Sequence, residues 1–127
     1  MQKSVRIIVA GGRDFSDYQL TADTLDALLR ELKAEEITIV SGGCRGADAL
    51  GETYAKAHGI PVKRFPADWK AYGRAAGPIR NAQMAEYASQ EKGILLAFWN
   101  GTSRGTASMI RLAEKKGLDV IITKYCE

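Results

Sequence analysis

The architecture of this chain is set by one stretch, Ile37-Thr38-Ile39-Val40-Ser41-Gly42-Gly43-Cys44-Arg45-Gly46-Ala47-Asp48. A short β-branched run leads into a glycine-rich loop, and an apolar stripe with helical spacing follows over about 46–58. Gly59 and Pro61 then end the helical pattern. A strand that passes through a glycine loop into a helix is the repeating unit of parallel α/β sheets, so the stretch predicts such a sheet.

The same unit recurs along the whole chain. Apolar runs predict five strands at about 5–10, 37–40, 62–65, 94–99 and 120–123. Helical patterns cover about 18–33, 46–58, 78–90 and 105–116; Ser16 and Gln19 predict a capping box before the first, and Pro78 is expected to open the third. This alternation predicts an α/β, Rossmann-like three-layer fold. Its open parallel sheet has five strands in the order 3-2-1-4-5 and four helices, and residues 1–127 form a single domain.

Composition excludes several classes of protein. Hydrophobic residues make up 46% and charged residues 26% of the 127 positions, which is typical of a globular domain. One histidine, His58, and two cysteines, Cys44 and Cys126, are too few for a usual zinc site, so no metal is expected. Widely spaced cysteines without a secretory signal predict reduced thiols and a cytoplasmic protein. The apolar run 94–99 is too short to cross a membrane, so no membrane partner is expected.

The loops after the strands carry the functional prediction. In an open parallel sheet, ligands bind outside the carboxyl ends of the strands, near the reversal of strand order. Three of these loops are glycine-rich and lead into helix N-termini, whose free N–H groups favour anions. The long connection 66–77 is a candidate lid. The predicted ligand-binding residues are Gly11, Gly12, Arg13, Asp14, Ser41, Gly42, Gly43, Arg45, Gly46, Asp48, Asp68, Trp69, Arg74, Arg80, Asn81, Asn100, Gly101, Thr102, Ser103, Arg104, Gly105 and Thr106.

Charge and aromatic residues indicate the class of ligand. In these loops six basic residues outnumber three acidic ones, while the rest of the chain carries twelve of each, so the net charge of +3 lies at this edge. An anionic ligand fits that distribution. Four aromatic residues at the same edge could stack on a base: Phe15, Trp69, Tyr72 and Trp99. Core packing is an equal alternative for Phe15 and Trp99. The predicted ligand is therefore a nucleotide.

Catalytic residues are not evident. The chain has neither a phosphate-binding Walker loop nor Gly-x-Gly-x-x-Gly after the first strand, which argues against an ATPase or a dinucleotide-dependent dehydrogenase. Cys44 has no histidine nearby in the sequence and is assigned to packing. Asp48 and Asp14 are weak candidates for an acid or base. Asp48 could instead complement the helix dipole or accept hydrogen bonds from ribose hydroxyls.

Five motifs together resemble the SLOG superfamily, which joins the DNA-processing protein DprA and the LOG nucleotide hydrolases. They are Gly11-Gly12-Arg13-Asp14-Phe15, Gly42-Gly43-x-Arg45-Gly46-Ala47-Asp48, Phe65-Pro66-Ala67-Asp68-Trp69, Gly73-Arg74-Ala75-Ala76-Gly77-Pro78-Ile79-Arg80-Asn81 and Arg104-Gly105-Thr106-Ala107-x-Met109. The sequence is most similar to the YspA-like, YpsA-related branch. The resemblance implies a Rossmann-like domain that binds nucleotides, nucleotide-derived signals or nucleic acid, in bacterial or phage settings and often as a homodimer.

Two departures from the superfamily pattern leave the activity open. Trp99-Asn100-Gly101-Thr102-Ser103 stands where relatives more often have a Pro-Gly-Gly-like run, and Met109 stands where the LOG hydrolases carry their catalytic glutamate. The leading hypothesis is a nucleotide-binding or sensing module that requires no cofactor. The alternatives are a hydrolase of an N-glycosidic or phosphate bond, and DprA-like binding of single-stranded nucleic acid, which the modest charge disfavours.

Overall fold

The computed structural model of the chain describes residues 4–126, so the ends of the predicted domain, 1–3 and 127, lie outside the described residues. The strands are β1 (Ser4–Gly11), β2 (Glu36–Ser41), β3 (Val62–Arg64), β4 (Lys92–Trp99) and β5 (Asp119–Lys124). The helices are α1 (Tyr18–Leu32), α2 (Ala47–Ala57), α3 (Trp69–Tyr72), α4 (Ala76–Ser89) and α5 (Arg104–Lys115), with a 3₁₀ turn at Gly73–Ala75.

All neighbouring strands are parallel, in the order β3-β2-β1-β4-β5, which confirms the predicted sheet. The helices α1, α2, α4 and α5 are the four predicted connections between strands. The four-residue helix α3 and the 3₁₀ turn lie within the long connection that precedes α4. The chain passes from β1 to β2 and β3 on one side of the sheet and then returns to β4 on the other side of β1. The loops after β1, β2 and β4 therefore meet at one edge of the sheet.

Two apolar clusters lie on opposite faces of the sheet, which gives the three layers. Ile7 belongs to the cluster that contains Leu25 of α1 and Tyr54 of α2. Ile8 belongs to the cluster that contains Met84 of α4 and Met109 of α5. Adjacent strand residues point to opposite faces, so a continuous apolar run such as β1 fills both clusters. The short edge strand β3 is exposed along its whole length.

Two helix starts differ from the sequence expectation. The predicted capping box of Ser16 and Gln19 is wrong: Asp17 is the N-cap of α1, and its Oδ1 accepts a 2.9 Å hydrogen bond from the Leu20 N–H. The carboxylate of Asp17, one residue later, caps the helix in place of the Ser16 hydroxyl. Helix α4 begins at Ala76 and not at Pro78. Proline is tolerated within this first turn because its missing N–H has no partner inside a helix there.

No helix between residues 4 and 126 has both the length and the apolar character required to cross a membrane. Cys44 is half-buried, Cys126 is exposed, and both are free thiols.

Candidate functional site

A cleft of about 640 Å³ opens at the carboxyl ends of the strands, where the first turns of α2, α4 and α5 meet the loop after β1. Most of the predicted ligand-binding residues line it. They are Gly11, Gly12, Arg13, Asp14, Arg45, Asp48, Trp69, Arg80, Asn81, Asn100, Ser103, Arg104, Gly105 and Thr106. The structure therefore brings segments that are up to 95 residues apart in the sequence to one edge of the sheet, as the strand order requires.

The other predicted residues do not line the cleft. This set is Ser41, Gly42, Gly43, Gly46, Asp68, Arg74, Gly101 and Thr102. Asp68 is the N-cap of α3, where its Oδ1 accepts a 3.0 Å hydrogen bond from the Ala71 N–H, and Arg74 lies exposed in the 3₁₀ turn. The glycine-rich motif after β2 thus contributes Arg45 and Asp48 to the cleft, whereas its glycines belong to the loop and do not line the cleft.

The loops after β1 and β2 are joined at Gly12 and Gly46. The carbonyl oxygen of Gly12 accepts hydrogen bonds from the N–H groups of Phe15 and Ala47, each 3.2 Å long. Gly46 has a φ of +81°, and a Cβ there would collide with the Gly12 carbonyl oxygen. Only glycine combines that backbone conformation with so close an approach. This contact fixes the first turn of α2 against the β1 loop.

The Gly42 peptide is held from both sides by two buried charged residues. Its N–H donates a 3.1 Å hydrogen bond to Oδ2 of Asp48, which also accepts from the Cys44 N–H over 3.4 Å. Its carbonyl oxygen accepts a 2.7 Å hydrogen bond from Nη1 of Arg80. Nε of Arg80 donates to Oδ1 of Asn81 over 2.9 Å. Asp48 and Arg80 are only 6% and 8% exposed, so both shape the cleft as well as line it.

Burial changes the acidity of Asp48. Burial raises the pKa of its carboxyl from 3.8 to about 6, against the opposing effects of the Cys44 N–H, the Arg80 guanidinium and the Gly42 N–H. The carboxyl of Glu52 contributes a further small rise in the pKa. Asp48 therefore changes charge close to neutral pH.

A second network supports the β2 loop from behind. The fully buried Ser41 donates a 2.6 Å hydrogen bond from Oγ to Oε2 of Glu52 and accepts a 3.0 Å hydrogen bond from the Gly43 N–H. Arg64 of β3 pairs with Glu52. Ser41 thus acts on the loop and does not reach the cleft. Sequence reasoning missed Glu52 and Arg64, because no local pattern connects them to the loop.

The loop between β4 and α5 is closed by its own side chains. Oδ1 of Asn100 accepts hydrogen bonds from the N–H groups of Thr102 and Ser103 over 2.9 and 2.8 Å. Ser103 is the N-cap of α5 and accepts a 3.4 Å hydrogen bond from the Thr106 N–H. Nε1 of Trp99 donates to the Ser103 carbonyl oxygen over 3.0 Å. The segment that departs from the superfamily pattern therefore forms a tight turn that presents the first turn of α5 to the cleft.

The aromatic residues separate into core and cleft. Phe15 is buried and stacks on Phe98 with 4.7 Å between ring centroids, and Trp99 packs against the core and supports its loop. Trp69 lines the cleft and is 49% exposed, and the Arg13 guanidinium lies 5.9 Å from its ring centroid. Tyr72 does not line the cleft. The structure thus favours the core alternative for Phe15 and Trp99.

Several residues of the site were not expected from the sequence. Tyr125, near the end of the chain, donates a 2.8 Å hydrogen bond from Oη to Oδ1 of Asp14. Cys44, assigned to packing, lines the cleft with Sγ 3.6 Å from Nη1 of Arg80. The remaining unexpected lining residues are Ala10, Gly77, Pro78, Met84 and Ser108. Among these five, only Gly77 and Pro78 had a signal in the sequence, because they lie in the motif 73–81 that resembles the SLOG superfamily.

The fold is similar to that of DNA processing protein A (DprA) from Streptococcus pneumoniae. The two superpose with a TM-score of 0.68 at 18% sequence identity, over 94% of this chain and 50% of that chain. The chain thus spans half the length of the DprA structure that it matches. At this identity the likeness concerns the fold alone.

Sequence comparison identifies closer relatives. The Gene 61 protein of Mycobacterium phage D29 is 32% identical over 123 residues, which cover 91% of this chain and 94% of that protein. The family model for YspA, cpYpsA-related SLOG proteins matches residues 5–72, which include the β1 loop, the β2 loop and Trp69. The chain therefore belongs to the YspA, cpYpsA-related SLOG family.

Proposed function

We propose that this protein binds a nucleotide or a nucleotide-derived ligand in the cleft at the carboxyl edge of its sheet. One observation carries the proposal: the first turns of α2, α4 and α5 line a single cleft together with the exposed side chains of Arg13, Arg45 and Arg104. Helix N-termini and arginines both favour phosphate groups. Membership of a SLOG family and the DprA-like fold support a role connected with nucleotides or nucleic acid.

The backbone at these helix starts supports anion binding. The N-cap residues of α2 and α4, Gly46 and Ala75, make no side-chain capping hydrogen bond in the described part of the chain. The Ala47 N–H at the start of α2 already donates to Gly12, and the Ala76 N–H at the start of α4 donates to Gly73. These two helix starts therefore favour an anion mainly through the positive end of the helix dipole. The charge of the cleft lining also favours an anion, since the lining contains four arginines and only two aspartates, Asp14 and Asp48.

The half-exposed ring of Trp69 supports a base-binding side of the cleft. It lies over the start of α4, where a Cβ on Gly77 would be 3.3 Å from the indole. The Arg13 guanidinium lies near the same ring. A nucleobase that enters the cleft could stack on this indole, which is worth about 1–3 kcal/mol per base.

Binding is favoured over hydrolysis by the positions of the acidic residues. Met109 of α5, at the position of the LOG glutamate, is buried in the apolar core and supplies no carboxylate. Oδ1 of Asp14 is bound by Tyr125, and Oδ2 of Asp48 is bound by two backbone N–H groups. One carboxylate oxygen of each aspartate is therefore engaged in a hydrogen bond within the protein. Turnover of the bound ligand remains the second candidate function, and Asp48 is the residue that would carry it.

The test is calorimetric titration with AMP, ADP, GMP and GDP, and with a single-stranded oligonucleotide. A single-nucleotide site contacts few phosphates, so we expect binding with a shallow dependence on salt between about 50 and 200 mM. Tight binding of the oligonucleotide alone, with a steep salt dependence, would favour DprA-like nucleic-acid binding instead. The homodimer implied by the superfamily stays a prediction, which analytical ultracentrifugation checks.

Two arginines of α5 provide a matched pair of variants. Arg104 lines the cleft, whereas Arg111 is exposed on the same helix and does not line it. We expect Arg104→Ala to weaken nucleotide binding by about 1.5–3 kcal/mol, the range of a charge-assisted hydrogen bond. Arg111→Ala should bind as the wild type does. Equal affinities for both variants would place the ligand elsewhere.

A further inference from the structure

Asp48 and Arg80 meet on opposite sides of one peptide group, that of Gly42. Asp48 comes from the first turn of α2 and Arg80 from α4. A Cβ on Gly42 would lie 2.7 Å from Nη1 of Arg80 and 2.8 Å from Oδ2 of Asp48. The two side chains are therefore fixed by the backbone between them, and neither is free to change rotamer without breaking a hydrogen bond.

Each of these side chains keeps one polar atom that the protein does not use. Among the hydrogen bonds of residues 4–126, Oδ2 of Asp48 and the Nε and Nη1 atoms of Arg80 are engaged, while Oδ1 of Asp48 and Nη2 of Arg80 have no partner. No buried side-chain nitrogen or oxygen in that range is left without a partner, so these two atoms are reached by solvent. Both residues line the cleft, so we take these two atoms as available to a ligand bound there.

The pair offers an acceptor and a donor, and this excludes a phosphate as the best occupant. A phosphate oxygen at Oδ1 of Asp48 would place two anions side by side. The exposed Arg13, Arg45 and Arg104, which have no buried carboxylate fixed beside them, suit the phosphates better. A hydroxyl group fits the pair, since its O–H donates to a carboxylate and its oxygen accepts from a guanidinium.

We propose that Asp48 and Arg80 form a hydroxyl-binding subsite of the cleft, through which the protein selects ribonucleotides over deoxyribonucleotides. The inference rests on the proposed nucleotide site and names the class of nucleotide that the site takes. The vicinal hydroxyls of ribose present both a donor and an acceptor to the pair. A deoxyribose leaves a nearly buried charged group without its partner, and such sites reject the analogue strongly.

The experiment compares matched ligands on the wild-type protein. It uses the tightest binder among AMP, ADP, GMP and GDP, with its 2′-deoxy and 3′-deoxy forms. We expect the ribonucleotide to bind about tenfold to hundredfold more tightly than at least one deoxy form, the range expected for one charge-assisted hydrogen bond. Equal affinity for all three forms overturns the subsite and leaves the nucleotide cleft standing. Failure of every nucleotide to bind overturns the proposed function itself.

Two variants then assign the selectivity to Asp48. Asp48→Asn keeps an amide oxygen for the N–H groups of Gly42 and Cys44 and replaces the free Oδ1 by an NH₂ group. It should lower ribonucleotide affinity to that of the deoxy form and bind the deoxy form almost as the wild type does. Arg104→Ala should weaken all forms by the same factor and keep the preference. A preference that survives in Asp48→Asn, or binding unchanged with turnover lost, contradicts the assignment.

Discussion

Nη1 of Arg80 donates a 2.7 Å hydrogen bond to the carbonyl oxygen of Gly42, which joins the first turns of α4 to the loop after β2. The sequence separation is 38 residues, and Arg80 is 8% exposed. The bond makes Arg80 a part of the cleft wall as well as a candidate contact for the ligand. Removal of different arginines from this cleft should therefore have different effects on stability and on ligand binding.

Arg80→Ala and Arg45→Ala should separate stability from binding. Arg80→Ala leaves the buried Gly42 carbonyl without its donor, so we expect the free energy of unfolding to fall by about 1–3 kcal/mol. Arg45 is exposed and lines the cleft, so Arg45→Ala should change that free energy by less than about 0.5 kcal/mol and still weaken nucleotide binding. Urea denaturation and calorimetry measure the two effects. Equal stability of the two variants would mean that the Arg80 bond contributes nothing to folding.

Gly46→Ala tests the contact between the β1 and β2 loops. Gly46 has a φ of +81° and lies against the Gly12 carbonyl, whereas Gly59 has a φ of +67° with open space around it. A positive φ alone costs about 1–2 kcal/mol for alanine, which is the loss expected for Gly59→Ala. The backbone cost at Gly46 is at least as large, because its ψ of −130° lies outside the left-handed helical region. Overpacking adds about 1–3 kcal/mol at Gly46. Thermal and urea unfolding of both variants measure the difference, and similar losses would show that the loops do not interlock.

Asp48 should make stability depend on pH in a defined direction. Its pKa is raised from 3.8 to about 6 in the folded protein, so the protonated carboxyl favours the folded state. This contribution is complete below a pH of about 3.8 and is lost as the pH rises through about 6. Relative to Asp48→Asn, the wild type should therefore lose about 2 kcal/mol between pH 4 and pH 7. Urea titrations of both proteins across that range give the difference, and a constant difference would contradict the buried, ionisable carboxyl.

Trp69→Ala should weaken nucleotide binding more than Tyr72→Ala does. The two side chains have similar exposure, 49% and 55%, but only Trp69 lines the cleft. Loss of a stacking surface costs about 1–3 kcal/mol per base. Calorimetry with the same nucleotide on both variants measures this loss, and quenching of the indole fluorescence in the wild type provides an independent readout. Equal affinities would place the base away from Trp69.

The connection 66–77 should be ordered further by a nucleotide. It carries Trp69 and contains one turn of α-helix and one 3₁₀ turn, and its last two residues, Ala76 and Gly77, begin α4. Such a segment has few buried contacts and opens readily, so ligand contact should slow its amide hydrogen exchange. The outer helix α1, on the other layer, provides the internal reference. Exchange that is the same with and without saturating nucleotide would indicate a fixed loop.

Local patterns were sufficient to predict the fold. Each strand is a short apolar run, each connecting helix has an apolar stripe, and the glycines at positions 11, 12, 42, 43 and 46 mark the turns between them. Because parallel strands joined by helices place all their following loops at one edge, the sequence also indicated which loops form the cleft. Residues such as Arg13, Arg45 and Arg104 follow directly from that rule.

Only the tertiary structure decided what each residue does within the cleft. Arg80 and Asp48 share the Gly42 peptide across two helices, and Tyr125 reaches Asp14 over 111 residues of sequence. Phe15 and Trp69 both follow strands at the same edge, yet one is buried in the core and the other lines the cleft. Such partnerships depend on the packing of elements that are distant in the chain. Apolar periodicity and turn residues report only the local backbone, so they leave these contacts open.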